Sequence, residues 1–127
     1  FSKIGLIPDS GGTWTLPRLV GFQKASALMM LGEKVSAEEA ERLGMIYKVL
    51  SADEFEQSAL ALAQKLSTMP TKGLGLTKRA LNQSFENSLD AQLGLEDILQ
   101  TEASNSFDYR EGVAAFLDKR KPKFKGN

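Results

Sequence analysis

Phe1-Ser2-Lys3-Ile4-Gly5-Leu6-Ile7-Pro8-Asp9-Ser10-Gly11-Gly12-Thr13-Trp14 opens apolar and runs at once into a glycine-rich turn. Pro8-Asp9-Ser10-Gly11-Gly12 gathers the residue types that favour turns and positive φ. Residues 13–20 then fit a short helix closed by Gly21. A chain end is usually polar and frayed. Residues 1–8 read instead as the end of a strand or loop that continues upstream.

Outward from this turn the pattern is helical. Residues 22–31 are rich in helix formers, with Gly32 as the stop. Ser36-Ala37-Glu38-Glu39 is a capping-box pattern that predicts a short helix ending at Gly44. Ser51-Ala52-Asp53-Glu54 is a second box, and Phe55, Ala59, Leu62 and Leu66 follow at helical spacing. Met69-Pro70 breaks that helix. Leu74, Thr77, Leu81 and Phe85 share a face of the next helix. Ser88 caps another, and residues 106–108 restart the chain into a stripe of Val113, Phe116 and Leu117. Residues 45–50, Met-Ile-Tyr-Lys-Val-Leu, are the best strand candidate. The expected fold is mainly α with one or two short strands.

Composition narrows the chemistry. The 127 residues include no Cys and no His, which removes disulfides, thiol nucleophiles, imidazole bases and His-ligated metals. No metal site is expected. Carboxylate, Lys and Tyr remain for acid/base work. Sixteen Lys and Arg balance sixteen Asp and Glu, so a surface built for nucleic acid is not expected. No apolar run approaches the roughly 20 residues of a membrane span, and the lack of Cys fits a cytoplasmic protein. The glycine turn is neither a GxxxxGK[ST] loop nor a GxGxxG loop after a strand.

Two features stand out. Asp9 sits between Pro8 and the glycines, just after Ile4, Leu6 and Ile7. It is either a helix cap or turn residue, or a carboxylate against an apolar pocket, suited to carry a proton. Near the other end, Lys119, Arg120, Lys121, Lys123 and Lys125 place five cations in seven residues. They form either a solvated terminal face or, with Phe116 and Phe124 interleaved, a clamp for an aromatic ligand bearing phosphate. Lys119 lies three residues after Phe116, so a helix through both would present them on one side.

Three stretches in register resemble the crotonase, or enoyl-CoA hydratase/isomerase, superfamily. Gly5-Leu6-Ile7-Pro8-Asp9-Ser10-Gly11-Gly12-Thr13 is similar to its G-x-x-P-x-x-G-G-[ST] segment. Leu31-Gly32, Ser36 to Ala40 and Gly44-Met45-Ile46 are similar to its middle segment. The stretch from Glu111-Gly112 through Phe116 and Lys119-Arg120 to Phe124 resembles its E-G-x-x-A-F-x-x-K-R-x-P-x-F signature. The resemblance implies the C-terminal helical part of the α/β crotonase (ββα spiral) fold. Residues 1–50 would end the core and carry the active-site turn. Residues 51–127 would form the helical region for oligomerisation and closure of the acyl-CoA site.

The same resemblance implies an acyl-CoA substrate, coenzyme A entering only as part of the thioester, no separate cofactor, and a homotrimer or hexamer without nucleic acid or membrane. Members with two glutamates carry one at the position of Phe1, and Phe cannot activate water. Hydratases usually carry Gly at the position of Asp9, whereas isomerases can carry a carboxylate there. Asp9-Ser10-Gly11-Gly12-Thr13-Trp14, Pro70-Thr71 and Asp108-Tyr109-Arg110-Glu111-Gly112 are most similar to the branch that isomerises the epoxide of phenylacetyl-CoA. The expected activity is therefore acyl-CoA isomerisation in phenylacetate or fatty-acid degradation, with Asp9 as acid/base, and enoyl-CoA hydration is the alternative.

Trp14 and Leu16 would border the acyl group, and Phe116 and Lys119 would contact coenzyme A, although simple packing accounts equally for the apolar three. The oxyanion-hole donors lie upstream in the family, so these 127 residues alone are expected to be inactive. A reading of another class is a non-catalytic helical assembly module in which Asp9 only caps a helix.

Overall fold

The computed structural model describes residues 1–127. A single 3-10 turn, Ser2–Ile4, precedes seven helices: α1 (Gly12–Val20), α2 (Phe22–Leu31), α3 (Ala37–Arg42), α4 (Ala52–Ser67), α5 (Thr71–Ser84), α6 (Leu89–Ser104) and α7 (Phe107–Leu117). They divide into two compact units, Phe1–Glu54 and Phe55–Asn127, with the boundary in the first turn of α4.

In the first unit, α1 packs on α2, whose Ala25 is buried. Gly21 separates the two helices at φ 79° and ψ 157°, a conformation that residues with a side chain rarely adopt. The Ser36 hydroxyl accepts the Glu39 N–H at 3.2 Å and starts α3 as the capping box predicts. The Glu39 carboxylate, however, turns away to Arg42 and Lys24 rather than back to the cap. α3 ends in a Schellman turn. Gly44 is left-handed at φ 77°, its N–H donates to the Glu41 carbonyl at 2.9 Å, and the Met45 N–H donates to the Ala40 carbonyl at 2.9 Å.

Residues 45–50 do not form the expected strand. A strand exists only as part of a ladder, and no other segment of this chain is extended beside them. Their backbone is held by other means, such as the Val49 N–H donating to Glu41 Oε2 at 2.9 Å. The chain is wholly helical and irregular, without strands.

In the second unit, α5 packs on α6 and α6 on α7, with Leu99 and Ala115 buried. The Ser88 hydroxyl accepts the Ala91 N–H at 3.3 Å, and the Ser106 hydroxyl accepts the Tyr109 N–H at 3.0 Å. The connection between α5 and α6 is pinned by Gln92, which donates to the Ala80 carbonyl at 3.2 Å and accepts from Asn87 at 2.9 Å.

The apolar stripes lie on helices as their spacing requires, yet many face solvent. Phe55, Leu62 and Leu66 on α4 are exposed, as are Leu81, Phe85 and Leu93. Total accessible surface is 10008 Å². Two separate folded bodies sharing the mass would expose about 8,000 Å² by the usual size scaling. The difference is on the order of 2,000 Å². No helix is long and apolar enough to cross a membrane.

Ser106 is buried and supplies the cap of α7. Ser106→Ala is expected to lower unfolding free energy by about 1 kcal/mol in urea titrations. An unchanged midpoint would mean that another donor or acceptor ends the helix.

Candidate functional site

The glycine turn is built by two consecutive left-handed residues, Ser10 at φ 52° and Gly11 at φ 80°. The Gly12 N–H closes it on the Asp9 carbonyl at 2.8 Å. The Trp14 and Thr15 N–H groups both donate to the Gly11 carbonyl, at 3.1 and 2.9 Å. The N-cap of α1 is thus Gly11, and no side chain caps it.

This decides one question about Asp9: its carboxylate does not cap the helix. Its hydrogen bond comes from the neighbouring Ser10 hydroxyl, at 3.1 Å to Oδ1. The apolar pocket expected around it is not closed by these residues, because Asp9, Ile4, Leu6 and Ile7 are all exposed. Apolar type in sequence did not translate into burial, since no element of this unit covers the turn.

Leu16 lines a hollow of about 270 Å³ with Phe1, Pro8, Leu28, Met29 and Met45. Pro8 brings the rim of this hollow next to Asp9 in the chain. Trp14 does not line it. The indole lies under Arg18, whose guanidinium carbon is 3.9 Å from the ring centroid and whose Nη1 donates to the Trp14 carbonyl at 2.8 Å.

Phe116 and Lys119 belong to the second unit. Phe116 is 83% exposed, so packing within this chain does not account for it. Lys119 is not on a helix with Phe116, contrary to the expected shared face, because α7 ends at Leu117. Its N–H donates to the Phe116 carbonyl at 3.2 Å, and the Arg120 N–H donates to the Ala115 carbonyl at 3.0 Å. This is a second Schellman turn, with Lys119 at φ 53° in the seat that Gly44 fills after α3. A side chain in that conformation costs roughly 1–2 kcal/mol.

The tail beyond Lys119 is a pinned strap rather than a solvated run. Arg120 grips Glu111 with a two-point fork, Nη1 to Oε1 at 2.7 Å and Nη2 to Oε2 at 2.9 Å. Glu111 Oε1 also accepts the Lys123 N–H at 2.7 Å. The Asp108 side chain, in a residue only 2% exposed, accepts the Lys125 and Gly126 N–H groups at 2.6 and 2.9 Å. Phe124 packs against Gly112, where a Cβ would stand 3.6 Å from the ring. Lys125 Nζ lies 4.3 Å from the Phe107 ring centroid. Two of the five cations are therefore engaged inside the strap and the Lys123 charge is attracted to Glu111, while the side chains of Lys119 and Lys121 have no partner in the chain.

The profile of the enoyl-CoA hydratase/isomerase family matches residues 1–127. The chain belongs to this family. It is 52% identical over 126 residues to the 1,2-epoxyphenylacetyl-CoA isomerase of Escherichia coli K12, covering 99% of this chain and 48% of that protein. It is 39% identical over 123 residues to the 2,3-dehydroadipyl-CoA hydratase of the same strain, covering 97% and 48%. The crystal structure of enoyl-CoA hydratase from Bacillus anthracis superposes with a TM-score of 0.92 at 31% identity, over 99% of this chain and 49% of that one. The chain thus spans about half the length of the curated relatives it matches. The all-helical architecture fits the C-terminal helical part of the fold.

Sequence reasoning singled out Asp9, Trp14, Leu16, Phe116 and Lys119 as candidates and did not single out Glu111 as the anchor of the tail. Hydrogen bonds from the Arg120 guanidinium, then from the Lys123 N–H, hold the Glu111 carboxyl at about 2, below the usual 4.5. A depressed folded value adds stability that is complete above the unfolded value and is lost as pH falls from there towards 2. The Glu111 carboxyl resonance is therefore expected to titrate near pH 2, and Arg120→Ala should move it back towards 4.5. A midpoint near 4.5 in the unmodified protein would mean the fork is not formed in solution.

Proposed function

We propose that this chain carries the acid/base carboxylate of an acyl-CoA isomerase, and that Asp9 is that group. The observation that carries the reading is the position of the cap: Gly11 caps α1 and only the Asp9 carbonyl serves the turn, so the Asp9 carboxylate is not used to cap the helix. A thioester acidifies the C–H bonds conjugated with it. In the proposed reaction Asp9 removes a proton from one such carbon, leaving an enolate whose oxygen is held by backbone donors upstream of Phe1. The same carboxyl returns the proton at a second carbon, so the double bond moves along the acyl chain with no net gain or loss of atoms.

Hydration would also require activation of a water, for which paired carboxylates are expected. Phe1 stands where two-glutamate members carry their second carboxylate, which favours isomerisation. The 1,2-epoxyphenylacetyl-CoA isomerase at 52% identity supports the same choice and points to an aromatic acyl group. The 2,3-dehydroadipyl-CoA hydratase at 39% keeps enoyl-CoA hydration as the second reading.

Leu16 and its hollow would receive part of the acyl chain, with Trp14 beside it on α1. Phe116, exposed, and Lys119, unpartnered, would meet coenzyme A. The exposed apolar side chains on both units are in keeping with a homotrimer or hexamer.

Asp9→Asn in the complete protein tests the assignment, since Asn keeps the size and loses the proton. Isomerisation of an enoyl-CoA is expected to fall by at least about 10²-fold, while affinity for a non-reacting thioester stays within about threefold. Near-normal turnover would make Asp9 a turn residue only.

A further inference from the structure

We propose that Glu111 is a positioning residue for anion binding: it locks the turn that presents the Lys119 ammonium to a phosphate group. The proposal rests on the reading of Lys119 as a coenzyme A contact.

The two Schellman turns of this chain supply an internal comparison. After α3 the left-handed seat holds Gly44, the residue that adopts it without strain. After α7 the same pair of backbone hydrogen bonds is made with Lys119 in the seat. Backbone geometry alone would favour glycine there, so the lysine side chain is what the position serves.

The residues around Lys119 are fixed, whereas its ammonium is free. Asp118 Oδ2 accepts Arg120 Nε at 3.3 Å, so the positions on both sides of Lys119 are tied to each other. Arg120 in turn forks onto Glu111, and Glu111 also accepts the Lys123 N–H. The Glu111 side chain is only 13% exposed and keeps its charge far into acid. One carboxylate on α7 therefore holds the chain on the far side of the turn at two points, Arg120 and Lys123. A point charge on a flexible stem loses less freedom on binding when its backbone is already fixed. Phe116, one turn back on α7 and exposed, lies beside the same anchored segment and offers an apolar face next to the cation.

The test is a double-mutant cycle in the complete protein, titrated with free coenzyme A at low salt. Lys119→Ala is expected to weaken binding about tenfold, on the scale of one charge-assisted hydrogen bond. Glu111→Gln, or Arg120→Lys should the former fold poorly, is expected to weaken it about threefold to tenfold. In the Lys119→Ala background the Glu111 or Arg120 change should have no further effect, because it acts through that lysine.

Asp108→Asn loosens the other end of the strap. It should lower Tm yet leave coenzyme A affinity within about twofold. Losses that add in the double variant, a Glu111→Gln protein that binds as well as the wild type, or an Asp108→Asn protein that loses as much affinity as Glu111→Gln, would each reduce Glu111 to a structural anchor and overturn the proposal. If Lys119→Ala binds normally, the reading of Lys119 falls and the proposal falls with it.

Discussion

Ser10 at φ 52° and Gly11 at φ 80° turn the chain through two left-handed residues in succession, and the use of Asp9 depends on that constraint. An aspartate three residues before a helix would ordinarily compete for its free N–H groups. Here the double turn moves the cap to Gly11, whose carbonyl accepts the Trp14 and Thr15 N–H groups. The Asp9 carboxylate is left outside the helix with the Ser10 hydroxyl attached, while its carbonyl accepts the Gly12 N–H. Ser10 itself occupies a conformation disfavoured for a residue with a side chain, and such local strain is concentrated at functional positions.

The second unit relies on carboxylates as well, with the opposite use. Asp108 and Glu111 are consumed in holding the C-terminal strap against α7, and each accepts backbone N–H groups that no helix or sheet provides for. Glu111 fixes the segment next to the turn, from which the Lys119 and Lys121 side chains extend without partners, and Asp108 fixes the far end at residues 125 and 126. Fixed backbone and free cations are the combination that phosphate recognition needs, since ordering has been completed before the ligand arrives.

Much of this was legible in the sequence because it is local. The glycine turn, the caps at Ser36 and Ser88, the break at Pro70 and the restart at residues 106–108 each depend on a few neighbouring residues, and each is found in place. What failed depends on distance. Residues 45–50 have strand-like composition but no neighbouring strand, so they stay irregular. Ile4, Leu6 and Ile7 were expected to enclose Asp9, yet burial is a property of what packs over a segment. The Glu111 fork spans nine positions and the Asp108 contacts seventeen and eighteen, separations that no helical or strand period marks. The Schellman seat of Lys119 was hidden because the usual glycine signal is absent there.

The central claim is that one carboxylate moves a proton and no water is added. The most direct measurement is the mass of the product formed by the complete protein from an unsaturated or epoxidised acyl-CoA in water enriched in oxygen-18. The account predicts a product of the same elemental composition as the substrate, free of the heavy oxygen, with its double bond or oxygen relocated. A product that has gained one labelled water would contradict it and make the protein a hydratase.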